Sequence, residues 1–232
     1  MSSPARDGMK SGIPIARLLE TWSQIEESLP AKHPFGLRMR RATSWLQRAS
    51  DEQDDPDAAF IFCWIAFNAA YGDERVEREH ELFNSYFSRI LALEHGRTIH
   101  RAVWQRFPNP IKAFVANQYV YWRFWEFQDE VDGADDWVDR LEWDVKRVDG
   151  AIARQRTNET SAVLKVLFSR LYVLRNQLLH GGATWKSSVN RDQVWDGARI
   201  MFFLVPIFVD VMLSNPDEDW GNPRFPVVYD QA

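Results

Sequence analysis

The stretch NETSAVLKVLFSRLYVLRNQLLH, residues 158–180, decides the fold of this chain. Its apolar residues recur at steps of three and four, the period of one face of an α-helix. The stripe consists of Val163, Val166, Leu167, Leu171, Leu174 and Leu178. Gly181 and Gly182 follow, and we expect both to end the helix in left-handed conformations. The stretch therefore predicts a long amphipathic helix that stops abruptly.

Helical periodicity continues on both sides of this stretch, whereas strand-like alternation is almost absent. The other predicted helices cover 15–28, 37–49, 58–72, 73–94, 97–106, 109–127, 134–156 and 190–213. The segment AAFIFCWIAFNAAYG, residues 58–72, is apolar nearly all round, which predicts a buried central helix. The acidic stretch before it supplies an N-cap, an early proline and negative charge for the helix N-terminus. We therefore predict an all-α fold, an up-and-down bundle with extra helices inserted in the middle.

The length of 232 residues fits one core with short appendages. We predict a flexible N-terminal tail over 1–14, a single all-α domain over 15–213 and an irregular C-terminal tail over 214–232. The last of these is punctuated by Pro and Gly. Most of the eleven tryptophans fall at helical spacing, so we expect them to pack the core.

Composition excludes several classes of protein. The longest apolar run, residues 200–213, is too short to span a membrane and contains Pro206 and Asp210. The N-terminus has no apolar segment typical of a signal peptide. A single cysteine, Cys63, excludes an internal disulfide and Cys-rich metal sites, and the histidines lack metal-ligand spacing. We expect a cytoplasmic protein with no membrane partner, no metal and no cofactor.

The net charge of −5 disfavours nonspecific nucleic-acid binding, so an RNA function requires a local basic cleft. The 28 basic residues are 22 Arg and 6 Lys. Arginine suits bidentate phosphate contacts. A GC-rich coding genome would also favour arginine, and this alternative stays open.

The end of the helix over 158–180 carries residue types that suit RNA cleavage. Arg175 lies at the edge of the apolar stripe, where it can hold a phosphate and stabilise its developing charge. His180 lies at the helix C-terminus, where carbonyl groups favour a charged imidazole that transfers protons. The 2′-hydroxyl of RNA is itself the nucleophile, so neither a metal nor a protein nucleophile is required.

The segment RNQLLH, residues 175–180, resembles the Arg-polar-x(3–5)-His signature of HEPN-domain ribonucleases. FIFCWIAFNAAYG, residues 60–72, is similar to a Trp-x-Ala-Phe-Asn-x-x-Tyr pattern in the early helix of one branch of that superfamily. The resemblance covers roughly residues 36–213. It implies a HEPN-type bundle, active as a homodimer, with catalytic Arg175 and His180 and with Asn176 orienting them.

The resemblance also implies a function and partners. The protein would be a metal-independent endoribonuclease in a toxin or antiviral-defence role, with RNA as substrate and an antitoxin or regulatory protein as partner. In toxins paired with a nucleotidyltransferase antitoxin, a Tyr often stands two positions after the His. That position is Gly182 here, which disfavours that particular form of regulation.

Several alternatives remain open. RVEREH, residues 75–80, and RILALEH, residues 89–95, have similar Arg-to-His spacing but lack the polar residue after Arg and the apolar lead-in. A non-catalytic all-α dimeric binding module is the main rival function, and a metal-dependent hydrolase is the weakest. Asn68, inside an apolar helix, must find hydrogen-bond partners, either structurally or by bracing the Arg–His helix.

Overall fold

The computed structural model describes residues 8–30, 32–72, 79–188 and 190–225. Within these ranges the chain is all α-helical and contains no strand, which confirms the predicted fold class. Its α-helices are α1 (Ile15–Glu26), α2 (Pro34–Asp51), α3 (Pro56–Tyr71), α4 (Glu79–Leu93), α5 (Thr98–Arg101), α6 (Pro108–Ala116), α7 (Trp122–Gln128), α8 (Trp137–Arg154), α9 (Thr160–Leu179) and α10 (Arg191–Leu213). A π-helical turn, Ala102–Arg106, follows α5 directly.

The chain divides into two compact units. The first contains the described residues up to Tyr86 and those from Ala198 onwards, and the second contains the described residues from Phe87 to Gly197. The single domain over 15–213 stays a prediction. Among the described residues, no helix is long and apolar enough to cross a membrane.

The core of the first unit forms around α3, which packs against α2. Phe67 lies at its centre, fully buried, with its ring 4.4 Å from that of Tyr71 and 6.1 Å from that of Phe208 in α10. Trp64 also contacts Phe67, edge to face. The prediction that 58–72 forms a buried central helix is therefore confirmed.

Both ends of α3 are capped by side chains. At the N-terminus the Asp55 carboxylate accepts hydrogen bonds from the backbone N–H groups of Asp57 and Ala58, as predicted for an N-cap. At the C-terminus the buried Arg38 of α2 donates hydrogen bonds to the carbonyl oxygens of Ala70, at 2.9 Å, and Gly72, at 2.6 Å. The guanidinium thus replaces the hydrogen bonds that the last turn of a helix lacks.

The segment before α1 is packed against α10. Met9 is buried, and Gly12 lies so close to α10 that a Cβ there would be 2.4 Å from the Phe203 carbonyl oxygen and 2.5 Å from Ile207 Cδ1. The described part of the predicted N-terminal tail, residues 8–14, therefore includes a packed portion. Glycine is required at position 12 because no side chain fits between the segment and the helix.

The substitution Gly12→Ala is expected to destabilise the protein by about 1–3 kcal/mol, because the added methyl group overpacks a contact with helix backbone. Urea denaturation measures the free energy of unfolding of the variant and of the wild type, and the difference between them gives the loss of stability. Gly8→Ala is the matched control, since a Cβ at Gly8 would meet nothing within 4 Å. Equal stabilities of the two variants would contradict the packing seen at Gly12.

In the second unit, α9 packs against α6 and α8. Its predicted apolar stripe is buried as far as Leu174, whereas Leu178 is half-buried. Thr160 at the start of α9 is buried, and its hydroxyl lies 3.1 Å from Nδ1 of His100. The predicted helix over 158–180 is thus confirmed, with a short 3-10 turn, Thr157–Glu159, before it.

The prediction of one helix over 109–127 is wrong. Helix α6 ends at Ala116, a 3-10 turn covers Gln118–Val120, and α7 begins only at Trp122. Asn117 breaks the helix because its backbone is extended and its side-chain oxygen accepts a hydrogen bond from the Tyr119 N–H at 2.9 Å. Such a local side-chain bond competes with the helical hydrogen bond.

Candidate functional site

The candidate site lies where α9 ends. His180 is the C-cap residue, and its backbone N–H donates to the Asn176 carbonyl oxygen at 2.9 Å. Gly181 adopts a left-handed φ of 74°, and the Gly182 N–H donates back to the Gln177 carbonyl oxygen at 2.7 Å. This pattern is a Schellman motif, which fixes the position of His180 at the end of the helix.

The prediction that both glycines are left-handed is correct for Gly181 but wrong for Gly182. Gly182 has no positive φ. Glycine is favoured there for a steric reason, because a Cβ would lie 3.1 Å from the Gln177 carbonyl oxygen. The two glycines therefore end α9 for different physical reasons, one conformational and one steric.

Arg175 and Asn176 are brought into direct contact. The Arg175 guanidinium donates a hydrogen bond to the Asn176 amide oxygen at 2.8 Å, and its Cζ lies 5.8 Å from the centre of the Tyr172 ring. Arg175 is half-buried, as expected at the edge of the apolar stripe. Its Nε is buried and has no hydrogen-bond acceptor within the described ranges. Asn176 therefore fixes one edge of the guanidinium.

His180 is exposed and stands apart from this pair. Between residues 79 and 188 no hydrogen bond or ion pair joins its imidazole to Arg175 or Asn176. Five residues along an α-helix separate two side chains by about 140° around the axis. The structure thus brings together two of the three predicted catalytic residues within one chain and leaves the third facing solvent.

The charge around this site differs from that of the whole chain. The segment from Thr160 to Arg191 contains five basic residues and no acidic one, in a chain of net charge −5. These basic residues are Lys165, Arg170, Arg175, Lys186 and Arg191. Residues 171–191, which cover the end of α9 and the loop after it, hold three of these basic residues and no acidic one, so this end of the helix is locally basic and suits an anionic ligand.

One of these charges is used within the fold. Arg170 is buried, forms a 2.7 Å ion pair with Asp144 and stacks 3.9 Å from the centre of the Tyr121 ring. Burial lowers the pKa of Arg170 below its usual range, and the Asp144 carboxylate opposes that shift. A charged residue inside an otherwise apolar stripe is the sequence signal for such a buried pair.

Sequence reasoning also missed the link between α9 and the aromatic segment before α7. The Gln177 amide donates a hydrogen bond to the Tyr119 carbonyl oxygen at 2.6 Å, and the Trp125 indole N–H donates to the same oxygen at 2.9 Å. The last turn of α9 is thereby tied to the 3-10 turn and α7. No local pattern encodes this contact, because the partners lie 58 positions apart in the chain.

The other residues considered from sequence do not form a site. Arg75 and the side chain of His80 lie outside the described residues, and Arg89 and His95 are both exposed. The Asn68 amide oxygen is buried without a donor among the described residues, so the expected hydrogen bond of that atom is not found. Within the same ranges no group of three or more His, Cys, Asp or Glu residues could hold a metal ion.

Comparison with known proteins yields no relative. The chain matches no family model, no curated protein and no solved structure.

Proposed function

We propose that this protein is a metal-independent endoribonuclease that cleaves RNA through attack of the 2′-hydroxyl on the adjacent phosphate. The observation that carries the proposal is the basic end of α9. There, Asn176 holds the Arg175 guanidinium and His180 is open to solvent in a segment without a single carboxylate.

Arg175 is the phosphate ligand in this proposal. A guanidinium offers several N–H donors in one plane, and the bond to Asn176 occupies only one edge of it. The remaining N–H groups on the two Nη atoms can bind the non-bridging oxygens of a phosphodiester, whereas Nε is buried. They stabilise the extra negative charge that develops on those oxygens in the transition state.

His180 is the proton-transfer residue. As a neutral imidazole it removes the proton from the 2′-hydroxyl, whose oxygen bonds to phosphorus while the bond from phosphorus to the 5′-oxygen breaks. A protonated imidazole supplies the proton that the leaving 5′-oxygen requires. The products are a 2′,3′-cyclic phosphate and a 5′-hydroxyl. A second copy of the chain in a homodimer would supply the second histidine and would place it opposite Arg175.

The resemblance of residues 175–180 to the HEPN signature supports the same reaction, a HEPN-type bundle and the homodimer. It also supports a toxin or antiviral-defence role in the cytoplasm, with activity restrained by an antitoxin or another regulatory protein.

A non-catalytic dimeric binding module is the second candidate. The specific observation in its favour is that Arg175 and His180 do not contact each other within one chain. In that case the basic end of α9 would bind a nucleotide or close an interface without cleaving a bond.

The test is cleavage of an end-labelled RNA in excess EDTA, alongside a DNA of the same sequence and an RNA with one 2′-deoxy nucleotide. We expect RNA to be cut without a metal, DNA to remain intact, and the 2′-deoxy position to resist cleavage. Mass spectrometry should find cyclic phosphate ends. Binding of RNA without cleavage of any substrate would favour the binding module, and cleavage of DNA would contradict the proposed chemistry.

A further inference from the structure

The exposed large hydrophobic side chains are concentrated in the second unit. In the described ranges, Phe225 is the only one of these side chains outside residues 119–185. Trp143 of α8 is 58% exposed and Trp122 of α7 is 41% exposed, although most tryptophans were expected to pack the core. Contiguous exposed apolar patches mark interaction sites, and Trp is enriched among the residues that dominate binding energy in interfaces.

A series of contacts links the Trp122 ring to a depression lined by Trp143, and we call this region the α7–α8 surface. Its members are Trp122, Arg123, Asp136, Asp139, Arg140 and Trp143. The Arg123 guanidinium lies 5.2 Å from the centre of the Trp122 ring and 3.3 Å from the Asp136 carboxylate. Asp136 in turn lines an open depression of about 500 Å³ together with Asp139, Arg140 and Trp143.

The charge of this region identifies the chemistry of its partner. Residues 126–144 contain nine acidic residues and one basic residue. Such a density of carboxylates repels the phosphates of a nucleic acid and attracts a cationic chain. Four of the nine carboxylates form ion pairs within the chain, and the other five have none among the described residues. These five belong to Asp129, Glu130, Asp132, Asp135 and Asp139.

The tryptophan rings add a preference for arginine. The Arg147 guanidinium lies 5.0 Å from the centre of the Trp143 ring, over one of its faces, and the ring is still 58% exposed, so a second guanidinium can stack on it. The Asp136 carboxylate already forms ion pairs with Arg123 and Arg140. In contrast, no ion pair within residues 79–188 involves Asp139, so its carboxylate is available to an incoming cation.

We propose that the α7–α8 surface binds an arginine-rich segment of a partner protein. One arginine of that segment enters the depression, stacks on Trp143 and pairs with Asp139, and neighbouring basic residues face the carboxylates of residues 126–144. This inference does not depend on the proposed nuclease function, because it involves neither Arg175 nor His180.

Binding of a fluorescein-labelled deca-arginine peptide to the full chain, followed by fluorescence anisotropy at physiological salt, tests the proposal. We expect deca-arginine to bind more tightly than decalysine, since a planar guanidinium stacks better than an ammonium group. Trp143→Ala and Asp139→Asn are each expected to weaken deca-arginine binding about tenfold, the effect of about 1.4 kcal/mol. Trp143→Phe should retain most of the affinity.

Two matched controls separate a specific surface from general charge attraction. Trp185→Ala removes another exposed tryptophan, outside the α7–α8 surface, and should leave binding unchanged. Asp54→Asn removes one exposed carboxylate from the first unit and should also have no effect. Circular dichroism confirms that each variant remains helical.

Equal affinity for the arginine and lysine peptides, together with an unchanged Trp143→Ala variant, would overturn the proposal. Loss of binding in the Trp185→Ala or Asp54→Asn control to the same degree would also overturn it. A decauridylate RNA that binds the wild type and loses affinity in Trp143→Ala would assign the surface to nucleic acid instead.

Discussion

Replacing His180 by Ala is expected to lower RNA cleavage by about 10²–10⁴-fold, the usual contribution of a positioned general acid or base. The variant should fold normally, because the exposed imidazole takes part in no hydrogen bond or ion pair within residues 79–188. The helix end depends on backbone bonds of His180 and Gly182 rather than on the side chain. The rate of cleavage of an end-labelled RNA in EDTA measures the effect.

His95→Ala is the matched control. His95 is also exposed, and it also follows an arginine within the spacing of the signature, but it lies in the unrelated segment after α4. We expect this variant to cleave at the wild-type rate. Wild-type cleavage by the His180→Ala variant at the same positions would falsify the assignment of His180.

The variant Arg175→Ala should lose about 10²–10³-fold in rate, because a donor to the charged phosphate oxygens is gone. Mixing it with the His180→Ala variant distinguishes two arrangements of the site. If Arg175 of one copy works with His180 of the other, a mixed dimer keeps one such Arg175–His180 pair but only one of the two histidines, so partial recovery of activity is expected. No recovery would mean that each chain completes its own site, or that the active form is not a dimer.

The substitution Arg38→Ala is expected to lower the free energy of unfolding by about 3 kcal/mol or more. Each buried carbonyl left without a donor costs about 1–3 kcal/mol. Arg38 donates hydrogen bonds to the carbonyl oxygens of Ala70 and Gly72 and a longer one, at 3.2 Å, to that of Gly221. That loss is a large part of the roughly 5–15 kcal/mol by which a typical domain is stable. Urea denaturation followed by circular dichroism measures it.

Arg40→Ala is the control on the same helix. Arg40 is exposed and, among the described residues, forms an ion pair with Glu26 alone at the surface, so its loss should cost less than about 1 kcal/mol. Arg38→Lys should be intermediate, because one ammonium group retains the charge but cannot reach all the carbonyls that the guanidinium spans. Equal midpoints for Arg38→Ala and Arg40→Ala would show that the cap of α3 contributes little.

The sequence by itself determined the helical class, the positions of α1, α3 and α9, an N-cap within the acidic stretch before α3 and the stop at Gly181. Each of these depends on residues within a few positions of one another. Helical periodicity, an N-cap bond and a left-handed glycine act over one or two turns, so a single stretch of sequence carries them. The break at Asn117 is equally local. The helical pattern of residues 109–127 nevertheless predicted an uninterrupted helix, because the hydrogen bond from the Tyr119 N–H to the Asn117 side chain leaves no separate mark in that pattern.

Only the tertiary structure decided the partners that are distant in the chain. Arg38 lies 34 positions from Gly72 and 183 from Gly221, and Arg170 lies 26 from Asp144. The exposure of Trp143 was also beyond the sequence pattern, whereas the separation of His180 from Arg175 follows from their spacing along a predicted helix. These features depend on which helices pack together and which faces they cover. Local hydrogen bonds form helices, but burial of side chains between helices selects the contacts.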